Sequence, residues 1–130
     1  MQKTSNMHQW PGSAVAHEHS KCIERVLNHV GRVIADKHGR TPAFKRRDVK
    51  QTARNTYDVE YLMRGRGKSQ LSLRFIVTGE NADLVLFQSR EQADPKEYPG
   101  EIDQHVYRLE EMDHLKEVVE DKVRAAVLHS

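Results

Sequence analysis

Arg64-Gly65-Arg66-Gly67-Lys68-Ser69 sets two glycines among three cations and a hydroxyl, and its Gly-Lys-Ser end resembles the end of a phosphate-binding loop. Such a loop needs a glycine five positions before the Gly-Lys pair, and a following helix whose first amides hold the phosphates. Leu62 stands at that place, and the alternation of a strand follows. The spacing predicts a hairpin turn whose glycines supply positive φ, with a basic tip.

A second group of reactive types is histidine with one thiol. His17 and His19 lie near Cys22, and His29 follows it by seven residues. On a helix, His19 and Cys22 share a face. A structural zinc site needs four ligands, usually in close pairs. No Cys-x-x-Cys, His-x-x-x-His or His-Glu-x-x-His occurs, so no metal and no cofactor is expected, and Cys22 is read as a small buried apolar group. Glu110, Glu111 and Asp113 cluster where a helix begins, which suits the positive end of its dipole. With no nucleophile–base signature, the chain reads as a binding protein rather than an enzyme.

Charge carries the stronger signal. The formal net charge of +2 conceals two opposed halves. Between Lys37 and Lys68 ten basic residues face three acids; from Glu80 to Ser130 thirteen acids face six bases. The basic segment 40–68 holds Arg40, Lys45, Arg46, Arg47, Lys50, Arg54, Arg64, Arg66 and Lys68. Guanidinium and ammonium groups gathered this way suit phosphate contacts, so the expected partner is a polyanion, a nucleic acid, bound with little base readout. Phe44, Tyr57 and Tyr61 offer stacking faces to a single strand. The alternative is a protein–protein interaction module, an inhibitor, adaptor or oligomeric structural component, whose basic patch docks on an acidic partner protein. A homodimer is compatible with either reading.

The elements that must position these residues follow from apolar spacing. Val15, Cys22, Ile23, Val26, Leu27, Val30, Val33 and Ile34 recur at three- and four-residue steps and predict a helix from about Ser13 to about Lys37. Ser13 suits its N-cap and Gly39 its C-terminal stop. Gly31 inside it marks a close crossing or a weak point. Thr41-Pro42 reads as a fresh start, predicting a short basic helix to about Ala53 anchored by Phe44 and Val49.

From there the period becomes two. Tyr57, Val59, Tyr61 and Met63 form one alternating run; Leu71, Leu73, Phe75 and Val77 form a second. Leu84-Val85-Leu86-Phe87 is continuous and reads as a strand buried on both faces. A polar loop spans 90–101, residues 105–109 suggest a fourth strand, and Met112, Leu115, Val118, Val119, Val123, Ala126 and Val127 stripe a last helix from about Glu110 to Leu128. A basic helix before a hairpin resembles a helix-turn-helix with a wing over less than half the chain, without the trio of helices such a domain has, and assigns no family.

The expected fold is α+β: an antiparallel three- to four-stranded meander, with a long N-terminal helix and a C-terminal helix packed on one face. Residues 1–12, including Trp10, read as a flexible arm, and 13–130 as a single domain. The chain of 130 residues can bury one modest core. A single cysteine excludes an intrachain disulfide and points to a reducing, cytoplasmic compartment. No apolar stretch reaches the length of a membrane span, and residues 1–6 lack the apolar core of a signal peptide.

Overall fold

The computed structural model describes residues 14–64, 69–79, 82–92 and 102–129, without the side chains of 14–19, 48, 128 and 129. The expected arm and Ser13 lie outside them. The chain order is α1 (Ala14–His38), β1 (Lys45–Ala53), β2 (Thr56–Arg64), β3 (Gln70–Thr78), β4 (Leu84–Gln92), β5 (Ile102–Arg108), a 3₁₀ turn (Leu109–Glu111) and α2 (Met112–His129). The class is α+β as expected. The strands form one antiparallel sheet in sequence order, with five members rather than three or four.

Helix α1 buries the stripe its spacing announced: Ile23, Val26, Val30 and Ile34 are fully buried, and Cys22 and Leu27 nearly so. Gly39 ends it in the left-handed region at φ 67°, its amide donating to the Ala35 carbonyl at 2.9 Å. Gly31 is not a close crossing, because a Cβ placed there meets nothing within 4 Å.

The predicted basic helix at 41–53 is instead strand β1. Phe44 and Val49 are too few for a helical stripe, and the β2 edge offered hydrogen bonds that a lone basic helix would not match. β1 pairs with β2 through two register shifts, between Arg46 and Val49 and between Gln51 and Ala53. Arg54-Asn55 turn the hairpin, with Asn55 at φ 60°. The pairing of β2, β3, β4 and β5 runs without a shift.

Strand β4 also departs from expectation. Val85, Phe87 and Ser89 are buried, Leu86 is half-buried and Leu84 is exposed, so this strand too has one covered face. β5 reaches back to Ile102, because the residues between it and Val106 are polar and carried no apolar signal. Leu109 belongs to the 3₁₀ turn that leads into α2.

Both helices lie on one face of the sheet and against each other. The core between the layers holds Val59, Tyr61, Leu73, Phe75, Val77, Val85 and Phe87 from the strands, and Leu115, Val119 and Val123 from α2. Phe75 is its centre, 5.1 Å from the Phe87 ring and 6.1 Å, edge-on, from Tyr61. Among the described residues, no helix is long and apolar enough to cross a membrane.

Candidate functional site

The sheet has a second face that no described element covers. Alternation along each strand decides what stands there, because directly paired residues share a face. One row across it is Lys50, Asp58, Ile76, Leu86 and Val106. The next is Glu60, Arg74, Gln88 and Gln104, with Arg47 reaching Glu60 at 3.5 Å from the bulge in β1. A third is Lys45, Leu62, Ser72, Arg90 and Ile102. Arg64 flanks that row at one end of the sheet, and Arg108 stands opposite Leu84 at the other.

Lys45, Arg47, Lys50, Arg64, Arg74, Arg90 and Arg108 therefore share one face with only Asp58 and Glu60 as acids among the described side chains. The two acids are engaged. Arg74 donates from Nε to Asp58 Oδ1 at 2.9 Å and closes a second contact from Nη2 to Oδ2. This carboxylate partner raises the Arg74 pKa further, holding the charge in place. Glu60 accepts from the Ser72 hydroxyl and pairs with Arg47. Gln88 donates to Gln104 at 2.8 Å and continues the band.

Hollows break this face between described residues. One, of about 280 Å³, is lined by Arg47, Lys50, Asp58, Glu60 and Arg74. Another, of about 110 Å³, is bounded by Glu60, Ser72, Arg74, Arg90 and Ile102 among others. Arg90 Nε is buried and has no hydrogen-bond partner among the described residues.

Of the residues singled out in the sequence, the fold brings Lys45, Arg47, Lys50 and Arg64 onto this face. It separates the others. Arg46 opposes Tyr61 on the helix side of the sheet. Arg40 donates to the Val127 carbonyl at 3.2 Å, near the end of α2. Arg54 sits in the β1–β2 turn. Arg66 and Lys68 lie outside the described residues. Sequence reasoning missed Arg74, Arg90 and Arg108 as members of the patch. The period of two already sets Arg74 among the outward alternates of β3, and the same period continued along β4 was the signal that could have placed Arg90.

The expected stacking faces are not there. Tyr57 and Tyr61 are 3% and 6% exposed, on the helix side of the sheet, and Phe44 packs against the core. Burial pushes the Tyr61 phenol up to about 12, against the opposing pull of Arg46. The reason is hydrophobic area: aromatic rings are the largest apolar groups this short core can recruit. Cys22 is likewise buried, and burial raises its thiol pKa against the influence of Arg25, which opposes nucleophile chemistry at neutral pH. Among the described residues no three His, Cys, Asp or Glu side chains gather as metal ligands would. In comparison with known proteins, no family model, no curated protein and no solved structure matches the chain.

Proposed function

We propose that this protein is a small non-enzymatic binding protein whose uncovered, basic sheet face engages a polyanion, a nucleic acid, through its phosphate backbone. The observation that carries the reading is the line of cations along β1. Lys45, Arg47 and Lys50 stand on one face over about 15 Å of strand, with Arg64 beside their first member. Cations spaced along an edge track a charged backbone, and they do so without reference to sequence. The orphaned Arg90 Nε beside a small polar hollow adds a buried donor that a phosphate oxygen would satisfy. With Tyr57 and Tyr61 inside the core, base stacking contributes nothing to this reading.

The test is a titration of labelled duplex and single-stranded DNA and RNA at two salt concentrations. The wild type is compared with the triple variant Lys45→Ala, Arg47→Ala, Lys50→Ala. Wild-type binding at low salt is expected, with a salt dependence about three units of slope steeper than that of the variant. Absence of wild-type binding at low salt overturns the reading. Capture of an acidic protein that the triple variant loses would then favour a protein–protein module using the same patch.

A further inference from the structure

The sheet has two edges, β1 and β5, and they are guarded unequally. β1 carries Lys45, Arg46, Arg47 and Lys50 and two register shifts. Charges and bulges are how a sheet edge avoids pairing with another. β5 has no bulge, and over its first five residues its one acid or base other than histidine is Asp103, held by Lys122 of α2. From Ile102 to Val106 it contains no Lys, Arg or Pro, and its ladder with β4 is unshifted. Ile102 is 50% exposed and Val106 63%, the largest exposure of any big apolar residue described. No described strand lies on its outer side.

We propose that β5 is a self-association edge, at which a second copy of this chain pairs antiparallel about a two-fold axis passing beside Gln104.

The backbone fixes which residues can face the partner. The Leu109 amide turns inward and donates to the Asp83 carbonyl at 3.0 Å. The Arg108 amide turns the other way and is taken by its own Glu111 carboxylate at 3.0 Å. Alternation then sends the N–H and C=O of Val106, Gln104 and Ile102 outward. Only registers that oppose these positions to each other can form a ladder.

The axis at Gln104 does so with about six backbone hydrogen bonds. It sets Ile102 against Val106 of the partner subunit, and Gln104 against its own copy. On the helix side it sets Asp103, which its own Lys122 holds at 2.7 Å and its own His105 approaches at 3.3 Å, across from the partner's His105 in the closer, non-hydrogen-bonded position. An axis at His105 would oppose that imidazole to its own copy and would call on the Arg108 amide, which Glu111 already holds. The exposed apolar pair, together with the Arg108 amide that Glu111 already holds, therefore selects one register among the alternatives. A seam of five residues is small, so the association is weak, with a Kd on the order of 10⁻⁵ to 10⁻⁴ M. This inference does not rest on the nucleic-acid reading, and either can fail alone.

The experiment uses the full chain. Sedimentation equilibrium across that concentration range should show monomer and dimer. Gln104→Cys should form a disulfide-linked dimer under mild oxidation, because opposed Cα atoms in a hydrogen-bonded pair are about 5.5 Å apart, within disulfide reach. Its linkage should be about tenfold or more faster than that of Arg32→Cys, exposed on α1, since pairing raises the local thiol concentration. Val106→Lys should abolish the dimer while leaving thermal unfolding of the monomer in place. A wild type that stays monomeric to about 1 mM overturns the proposal. So does linkage through His105→Cys in preference to Gln104→Cys, or a dimer that survives Val106→Lys.

Discussion

Arg74 holds Asp58 diagonally across the β2–β3 ladder, although its direct partner in register is Glu60. Ser72 repeats the step, giving its hydroxyl to Glu60 while Leu62 stands opposite it. Both bonds lean the same way, two residues along β2, as the twist of an antiparallel pair allows for long side chains. The consequence is that the two acids of the basic face are consumed within the sheet. They anchor Arg74 and order Ser72 rather than repel an incoming anion.

The pair is asymmetric in burial, with the Asp58 side chain 10% exposed and that of Arg74 45%. Arg74→Met should therefore leave a nearly buried carboxylate with no guanidinium, costing roughly 1–3 kcal/mol. Urea denaturation should show this as a lower midpoint. The double variant Arg74→Met, Asp58→Asn should recover part of the loss. A cost within a few tenths of a kcal/mol for the single variant would class the pair with ordinary surface bridges.

Gly31→Ala is expected to stabilise the protein by about 0.5–1 kcal/mol. The position lies inside α1, and an added Cβ meets nothing within 4 Å. Gly79 is the contrasting case. Its φ is 95°, and a Cβ there would fall 1.7 Å from Asp83 Oδ1. Gly79→Ala should lower the thermal midpoint while Gly31→Ala raises it.

Stability should also fall at alkaline pH. The Tyr61 phenol titrates near 10 in the unfolded chain and about 12 in the fold, burial being the main cause. Its contribution is fully present below pH 10 and is lost as pH rises through 12, because the unfolded chain gives up the proton first. A shift of that size corresponds to about 2–3 kcal/mol. Cys22 and Tyr107, both raised chiefly by burial, act in the same direction. Denaturation of the wild type and of Tyr61→Phe at pH 8 and pH 11 checks this. The variant should lose less stability between the two pH values.

The periodicities announced α1, β2, β3 and α2 within a residue or two, because each buries an unbroken apolar stripe. β1 was illegible for the opposite reason. Lys45-Arg46-Arg47-Asp48 alternates nothing, and the two register shifts break the period of two that would have marked a strand. β5 was legible from His105 on, but its start at Ile102 hid behind Asp103 and Gln104, whose place in a strand is set by the neighbouring ladder rather than by their own chemistry. Membership of the basic face was half legible. Charge counts found Lys45, Arg47, Lys50 and Arg64. They could not tell Arg46 from Arg47, which adjacent positions on a strand send to opposite faces. Arg90 and Arg108 lay in the acidic half, where a tally by segment conceals them.

That distinction of faces yields the sharpest test of the site. If phosphates lie against the uncovered face, each cation there contributes about one unit of salt slope, whichever charged half of the sequence it comes from. Lys50→Ala and Arg90→Ala should then weaken nucleic-acid binding alike, although one lies in the basic segment and the other outside it. Arg40→Ala should leave the slope unchanged, since that guanidinium is spent on the Val127 carbonyl at the far end of α2. Arg32→Ala, exposed on α1, should do the same. The measurement is the slope of log affinity against log salt for the four single variants, on one duplex and on a second of unrelated sequence. Equal losses on both duplexes are expected, because backbone contacts carry no sequence information. A slope that tracks Arg40 and Arg32 instead would move the interface to the helix side, and would leave the cations of β1 as the guard of a sheet edge alone.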